Sequence, residues 1–177
     1  MHAMEEGTEV TGLARLAQAI ESACAGPAAE VPAAVAQALC RYGEPGDLLL
    51  PQQREGSAGG YMRHLLYADA KGRFSVVALV WQAGQRTPVH AHYTWCAYRV
   101  AEGELREERF GWNAAAGRAE PSETVVRAAG DTSCGHAGYD QIHRLGNDGG
   151  APAISIHVYG IDADRVSTHV NRLAAVA

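Results

Sequence analysis

The sequence predicts a mainly β protein, an antiparallel barrel or jelly roll preceded by two helices. Three observations carry this. The apolar period changes from helical to strand-like near Ser57, seven or more short β-rich segments follow, and turn residues rather than helices separate them. At 177 residues the chain is large enough to bury a single core without help from disulfides or metal. It reads as one domain over 1–177, with a helical segment over 1–45 packed on a barrel core over 57–165.

The elements follow in order. From Thr8, Leu13, Leu16, Ala17, Ile20 and Ala23 recur at helical spacing until Gly26-Pro27 stops them. A second helix starts near Pro32, tolerated in a first turn, carries Val35, Ala36 and Leu39, and ends at Gly43 and Pro45. The β segments are YMRHLLYAD, RFSVVALVWQ, VHAHYTWCAYRVAEG, ELREERFGW, ETVVRAAG, DQIHRLGN and AISIHVYGI. Lys71-Gly72, Ala83 to Gln85, Glu102-Gly103, Asn113 to Gly117, Gly130 and Asn147 to Pro152 divide them.

Charge excludes some partners. The net charge of -5 offers no field for a polyanion, and the basic residues, all Arg except Lys71, are scattered singly, so nucleic acid is not expected. No apolar run approaches the roughly 20 residues that span a bilayer, and MHAMEEGTEV lacks the basic region and apolar core of a signal peptide. A cytoplasmic protein that binds no membrane is expected. Oligomeric state is not legible. Cys24, Cys40, Cys96 and Cys134 form no CxxC pair and suit neither a disulfide framework nor a zinc knuckle; Cys24, Cys40 and Cys134 read as small buried side chains.

His90-Ala91-His92 opens a β segment, where residues i and i+2 share a face, so both imidazoles can reach one ion. His143 lies in a later strand that a Greek-key chain could return beside them. An HxH on a strand also arises by chance, and His2, His64, His136 and His169 read as surface or structural. Imidazole suits Fe, Zn, Cu and Ni alike, so the ligands alone do not name the metal.

TPVHAHYTWCAYRVAEGEL resembles the first cupin motif, and IHRLGN, with His143 followed by Asn147, resembles the second. The carboxylate most cupins supply after HxH is missing: Trp95, Cys96, Ala97 and Tyr98 stand there. Three neutral imidazoles leave the ion its full charge, which favours an anionic ligand such as a thiolate. Within the cupins the chain resembles the cysteine dioxygenase family over Tyr61 to Tyr159. Ser155-Ile156-His157-Val158-Tyr159 is similar to its Ser-x-His-x-Tyr, and Tyr61-Met62-Arg63 to its Tyr-x-Arg. On a strand, Ser155, His157 and Tyr159 share a face, and a polar row there is costly unless satisfied. Arg63 matches the arginine that receives the substrate carboxylate, although such an Arg can equally pair with a local acid. Cys96, counted back from Gly103, falls where animal members carry a cysteine thioether-linked to the active-site tyrosine. Counted forward from His92 it is one residue short, so a buried free thiol is the alternative. Gly160-Ile161-Asp162 replaces the animal family's Ser-Pro-Pro.

The resemblance implies Fe(II) held by His90, His92 and His143, with O2 as co-substrate. It implies catalytic roles for Tyr159, His157, Ser155 and Cys96, and substrate binding by Arg63 and Tyr61. The reaction implied converts a small carboxylate-bearing thiol, L-cysteine first, to its sulfinic acid. The alternatives are dioxygenation of 3-mercaptopropionate or another mercaptocarboxylate, and a non-catalytic cupin that binds metal and ligand, in which Arg63 and the Ser-His-Tyr row would have no purpose.

Overall fold

The computed structural model describes residues 11–176; His2 and the expected helix start at Thr8 lie outside them. Helix α1 (Gly12–Cys24) begins at Thr11, whose hydroxyl accepts the Ala14 N–H, and buries Leu16, Ala17 and Ile20. Helix α2 (Val31–Tyr42) holds Pro32 in its first turn and ends at Gly43. A single helical turn, α3 (Pro45–Leu48), leads toward the sheets.

Among the described residues ten strands follow: β1 (Met62–Ala68), β2 (Ser75–Trp81), β3 (His90–His92), β4 (Cys96–Glu102), β5 (Glu104–Asn113), β6 (Arg118–Ala128), β7 (Thr132–Gly135), β8 (Gly138–Gly146), β9 (Ala153–Tyr159) and β10 (Asn171–Leu173). They form two five-stranded antiparallel sheets, ordered β1-β2-β9-β4-β7 and β10-β3-β8-β5-β6. The central strands β2, β9 and β4 of the first sheet are buried on both faces. Val76, Ala78, Val80, Ile154, Ile156 and Val158 pack outward against Leu16, Ile20, Val35 and Leu39 of the helices. Burying each such aliphatic side chain is worth about 1.5–3 kcal/mol. Leu79, Trp81, Tyr98 and Val100 pack inward against Leu105 and Leu145 of the second sheet. This double burial explains why β2 and β9 read as almost continuous apolar runs.

Gly103 makes the β4–β5 turn. Its φ of 73° lies in the left-handed region, and an added Cβ would come within 3.0 Å of Ala153. Among the described residues no helix is long and apolar enough to cross a membrane.

Four expectations are corrected. The segment VHAHYTWCAYRVAEG is two strands, not one: the chain leaves the second sheet after His92 and enters the first at Cys96. The ETVVRAAG segment starts earlier, at Arg118, and β7 and β10 were not anticipated because each is only three or four residues long. Cys40 lies on the uncovered side of α2 and is exposed, and Cys24 and Cys134 are half-buried at the margin of the core that the helices and the first sheet share. His64 is half-buried, its Nε2 3.0 Å from the Glu55 carbonyl oxygen, while His136 and His169 are exposed.

Candidate active site

Strand alternation and register assemble the three histidines. His90 and His92 point to one side of β3, and β8 pairs antiparallel with β3 so that His143 lies directly across from His90. The three rings sit 4.8–5.2 Å apart between centroids, and one ligand atom from each lies within 4.8 Å of the others. All three side chains are buried. Burial first, then the charges of His143 and Arg63, push His90 down to about 3; burial and the neighbouring histidines push His92 well below its ordinary value. Neutral imidazole is the form a metal requires.

Hydrogen bonds orient two of the rings. His90 Nδ1 donates to the Pro88 carbonyl at 2.9 Å, and His143 Nδ1 donates to Glu107 Oε1 at 2.9 Å, leaving each Nε2 free. His92 Nε2 lies 3.6 Å from Cys96 Sγ, while its Nδ1 is buried with no hydrogen-bond partner among the described residues. An orphaned buried nitrogen costs about 1–3 kcal/mol, a cost that coordination to a shared cation removes. The donor set therefore fits a metal ion. Among the described residues this is the group of histidine, cysteine and acidic side chains that could hold one.

Glu107, which sequence reasoning missed, supports the cluster from β5. It is fully buried, and its other oxygen accepts Arg127 Nε and Nη2 at 2.9 and 2.7 Å and Arg109 Nε at 3.3 Å. Burial pushes the carboxyl up, but the hydrogen bonds and charges of His143 and Arg127 outweigh it and hold the group at about 2. A carboxylate behind a ligand histidine fixes its tautomer and raises its basicity. The available signal was alternation: in Glu104-Leu105-Arg106-Glu107, an acid shares the inward face with Leu105.

The inward face of β9 presents Ser155, His157 and Tyr159, all buried. Ser155 Oγ is 2.8 Å from His157 Nε2, and Tyr159 Oη is 3.2 Å from His157 Nδ1. Trp81 Nε1 extends the row by donating to Ser155 Oγ at 2.9 Å. Burial keeps His157 neutral and pushes the Tyr159 hydroxyl up. Tyr98 stacks on His157 with centroids 5.1 Å apart.

Cys96 lies directly opposite Tyr159 in the β4–β9 pairing, and the two pack in one cluster with Val77, Val166 and Val170. Its sulfur is also 3.6 Å from Gln141 Oε1, and burial pushes the thiol up. The departure at Gly160 has a structural counterpart: the Trp95 indole occupies the space a Cβ would need, and Thr94 Oγ1 donates to the Gly160 carbonyl at 2.6 Å.

Tyr61 and Arg63 line the cavity together with the three histidines, His157 and Tyr159. Tyr61 stacks on Trp81 with centroids 4.7 Å apart. Arg63 Nε is buried without a partner, and Arg63 joins no ion pair among the described residues. Leu79, Trp81, Thr87 and Asn171 complete the lining. Asn171 arrives through β10, where it pairs opposite His92, a placement that depends on a three-residue strand.

A double-stranded β-helix with three histidines turned inward defines a metal-dependent enzyme of the cupin class. Two solved structures share the fold. One is an uncharacterized conserved protein with a double-stranded β-helix domain from Klebsiella pneumoniae, 22% identical, with a TM-score of 0.50 over 63% of this chain and 86% of that one. The other is the TT1209 protein of Thermus thermophilus, 20% identical, with a TM-score of 0.50 over 64% of this chain and 97% of that one. The pattern of the family described as cysteine dioxygenase type I matches residues 57–172, and the chain belongs to that family.

Proposed function

We propose that this chain is a thiol dioxygenase that uses non-haem Fe(II) and O2 to convert a small carboxylate-bearing thiol, L-cysteine first, to its sulfinic acid. In the net reaction the thiol sulfur takes up both atoms of O2 and no other reductant is needed. The observation that carries the reading is Arg63, a guanidinium without an acidic partner among the described residues, lining the same cavity as His90, His92 and His143.

Fe(II), held by His90, His92 and His143, supplies positions for thiolate and O2 and the redox chemistry between them. The remaining work belongs to the chain's own groups. The Arg63 fork binds the substrate carboxylate and fixes how far the sulfur reaches from it. Tyr61, held by its stack on Trp81, borders the carboxylate, and Leu79 and Trp81 keep water from the reacting sulfur. Tyr159, held by His157 and Ser155, presents its hydroxyl to the reacting groups. A thioether between the Cys96 sulfur and the Tyr159 ring, formed with two hydrogens lost and O2 as the oxidant, is supported by the pairing of the two residues across β4 and β9.

One observation favours 3-mercaptopropionate as well. Among the described residues none that lines the cavity is Asp or Glu, so these residues offer no carboxylate to the ammonium group of cysteine, and a substrate without an amine loses no contact with them. The test is O2 uptake and sulfinate formation by iron-loaded protein with cysteine, 3-mercaptopropionate and cysteamine. Turnover of one or both carboxylated thiols, with cysteamine poor, is expected. Oxidation of none of them refutes the proposal, and cysteamine as fast as the others refutes the role of Arg63.

A further inference from the structure

The polar row on β9 has a fourth member on β2, and that member can only donate. An indole N–H carries no acceptor lone pair, so the Trp81 to Ser155 bond, at 2.9 Å between fully buried residues, runs in one direction. We infer that Trp81 is a positioning residue that sets the direction of the whole row. Ser155 gives its hydrogen to His157 Nε2, His157 carries its own on Nδ1 and gives it to Tyr159, and the Tyr159 hydroxyl hydrogen is turned into the cavity. The consequence for catalysis rests on the dioxygenase reading above; the direction of the row does not.

Two arrangements of a neutral His157 are conceivable, and satisfaction of buried hydrogens separates them. In the reverse one, Tyr159 donates to Nδ1 and Nε2–H donates to Ser155. The serine oxygen then receives two hydrogens, and its own needs an acceptor. Among the described residues the polar side-chain atoms within hydrogen-bonding distance of Ser155 Oγ are Trp81 Nε1 and His157 Nε2, both of which would be donors. Ser155 has no exposed surface, so its hydrogen would be stranded in the core. In the forward arrangement the hydrogen without a protein acceptor belongs to Tyr159, which lines the cavity, where substrate or water can accept it. Only the forward arrangement leaves no buried hydrogen unmatched.

Tyr159 is therefore a donor to whatever lies beside the three histidines, suited to an anionic sulfur or an oxygen lone pair and unsuited to a substrate ammonium. This agrees with a cavity lining that lacks acidic residues among the described residues and makes the amine of an aminothiol dispensable for recognition by this tyrosine.

The test is a long-range 1H–15N correlation spectrum of the full chain, metal-free and with diamagnetic Zn(II) added, in which the two ring nitrogens of His157 report their hydrogen. A pyrrole-like Nδ1 and a pyridine-like Nε2 are expected. Hydrogen on Nε2 in the wild type overturns the inference. In Trp81→Phe the serine is released from its fixed donor, and the two nitrogen shifts should move toward each other as the second tautomer becomes populated. A His157 spectrum unchanged from wild type denies Trp81 its role. If Trp81→Phe does not fold, replacing Trp81 with its benzothienyl isostere, which keeps the shape and lacks the N–H, gives the same comparison. A forward tautomer in a protein that oxidises no thiol overturns the proposed function alone, and a reverse tautomer in an active dioxygenase overturns this inference alone.

Discussion

Glu107→Gln separates the charge of the buried carboxylate from its shape. Glutamine can still accept the His143 Nδ1–H, but its amide NH2 then faces the two guanidinium groups that donate to Oε2 at 2.7–3.3 Å. Removing one partner of such a buried pair costs about 3–5 kcal/mol. The titration of the group leads to a similar figure. A carboxyl held at about 2 in the fold against an ordinary 4.5 contributes on the order of 3 kcal/mol. Because the folded value is depressed, this stability is fully present above pH 4.5 and is lost as the pH falls through 4.5 toward 2. Urea unfolding at pH 7 should therefore show a loss of about 3 kcal/mol, or a Tm lower by about 6–12 °C, with the m-value unchanged. The part of the acid destabilisation that belongs to this group should disappear in the variant. Iron affinity should fall about 10–100-fold as His143 loses its anionic support. A variant within about 1 kcal/mol of wild type that binds iron equally well would refute the assignment of Glu107 as the support of His143.

Three further outcomes are expected. His143→Ala should purify without iron and without thiol-dependent O2 uptake, as should His90→Ala and His92→Ala; full iron content by metal analysis would contradict the ligand set. Arg63→Ala should raise KM and lower kcat for the carboxylated thiol by a combined loss on the order of 2–5 kcal/mol in kcat/KM, while leaving the slow turnover of cysteamine nearly unchanged. Protein that has turned over should show a faster band in denaturing electrophoresis and an intact mass lower by about two hydrogens. Cys96→Ser should remove both signatures and keep partial activity, and persistence of the fast band in that variant would exclude Cys96 as the linked residue.

Local periodicity carries what the sequence by itself determined. Two-residue alternation puts His90 with His92, and Ser155 with His157 and Tyr159, on common faces wherever the strands lie, because the pleat turns each second side chain to the same side. The helical spacing of Leu16, Ile20, Val35 and Leu39 likewise marked two helices with one apolar face each, and the turn residues marked a β fold in seven segments that hold eight of the ten strands described. Partners that meet through long-range pairing were not legible. Alternation puts Glu107 on the inward face with Leu105, but that His143 is its partner is set only by the β5–β8 pairing. Trp81 ends an apolar run and reads as plain core until β2 pairs with β9 and sets its indole beside Ser155. Asn171 joins the cavity through a three-residue strand too short to show a period. The break between His92 and Cys96 was hidden because both flanking strands are buried, so hydrophobicity does not change where the chain passes from one sheet to the other. Side-chain direction within one strand is set by covalent geometry a few residues long. The register between strands is set by which distant surfaces bury together, and that is decided only when the whole core forms.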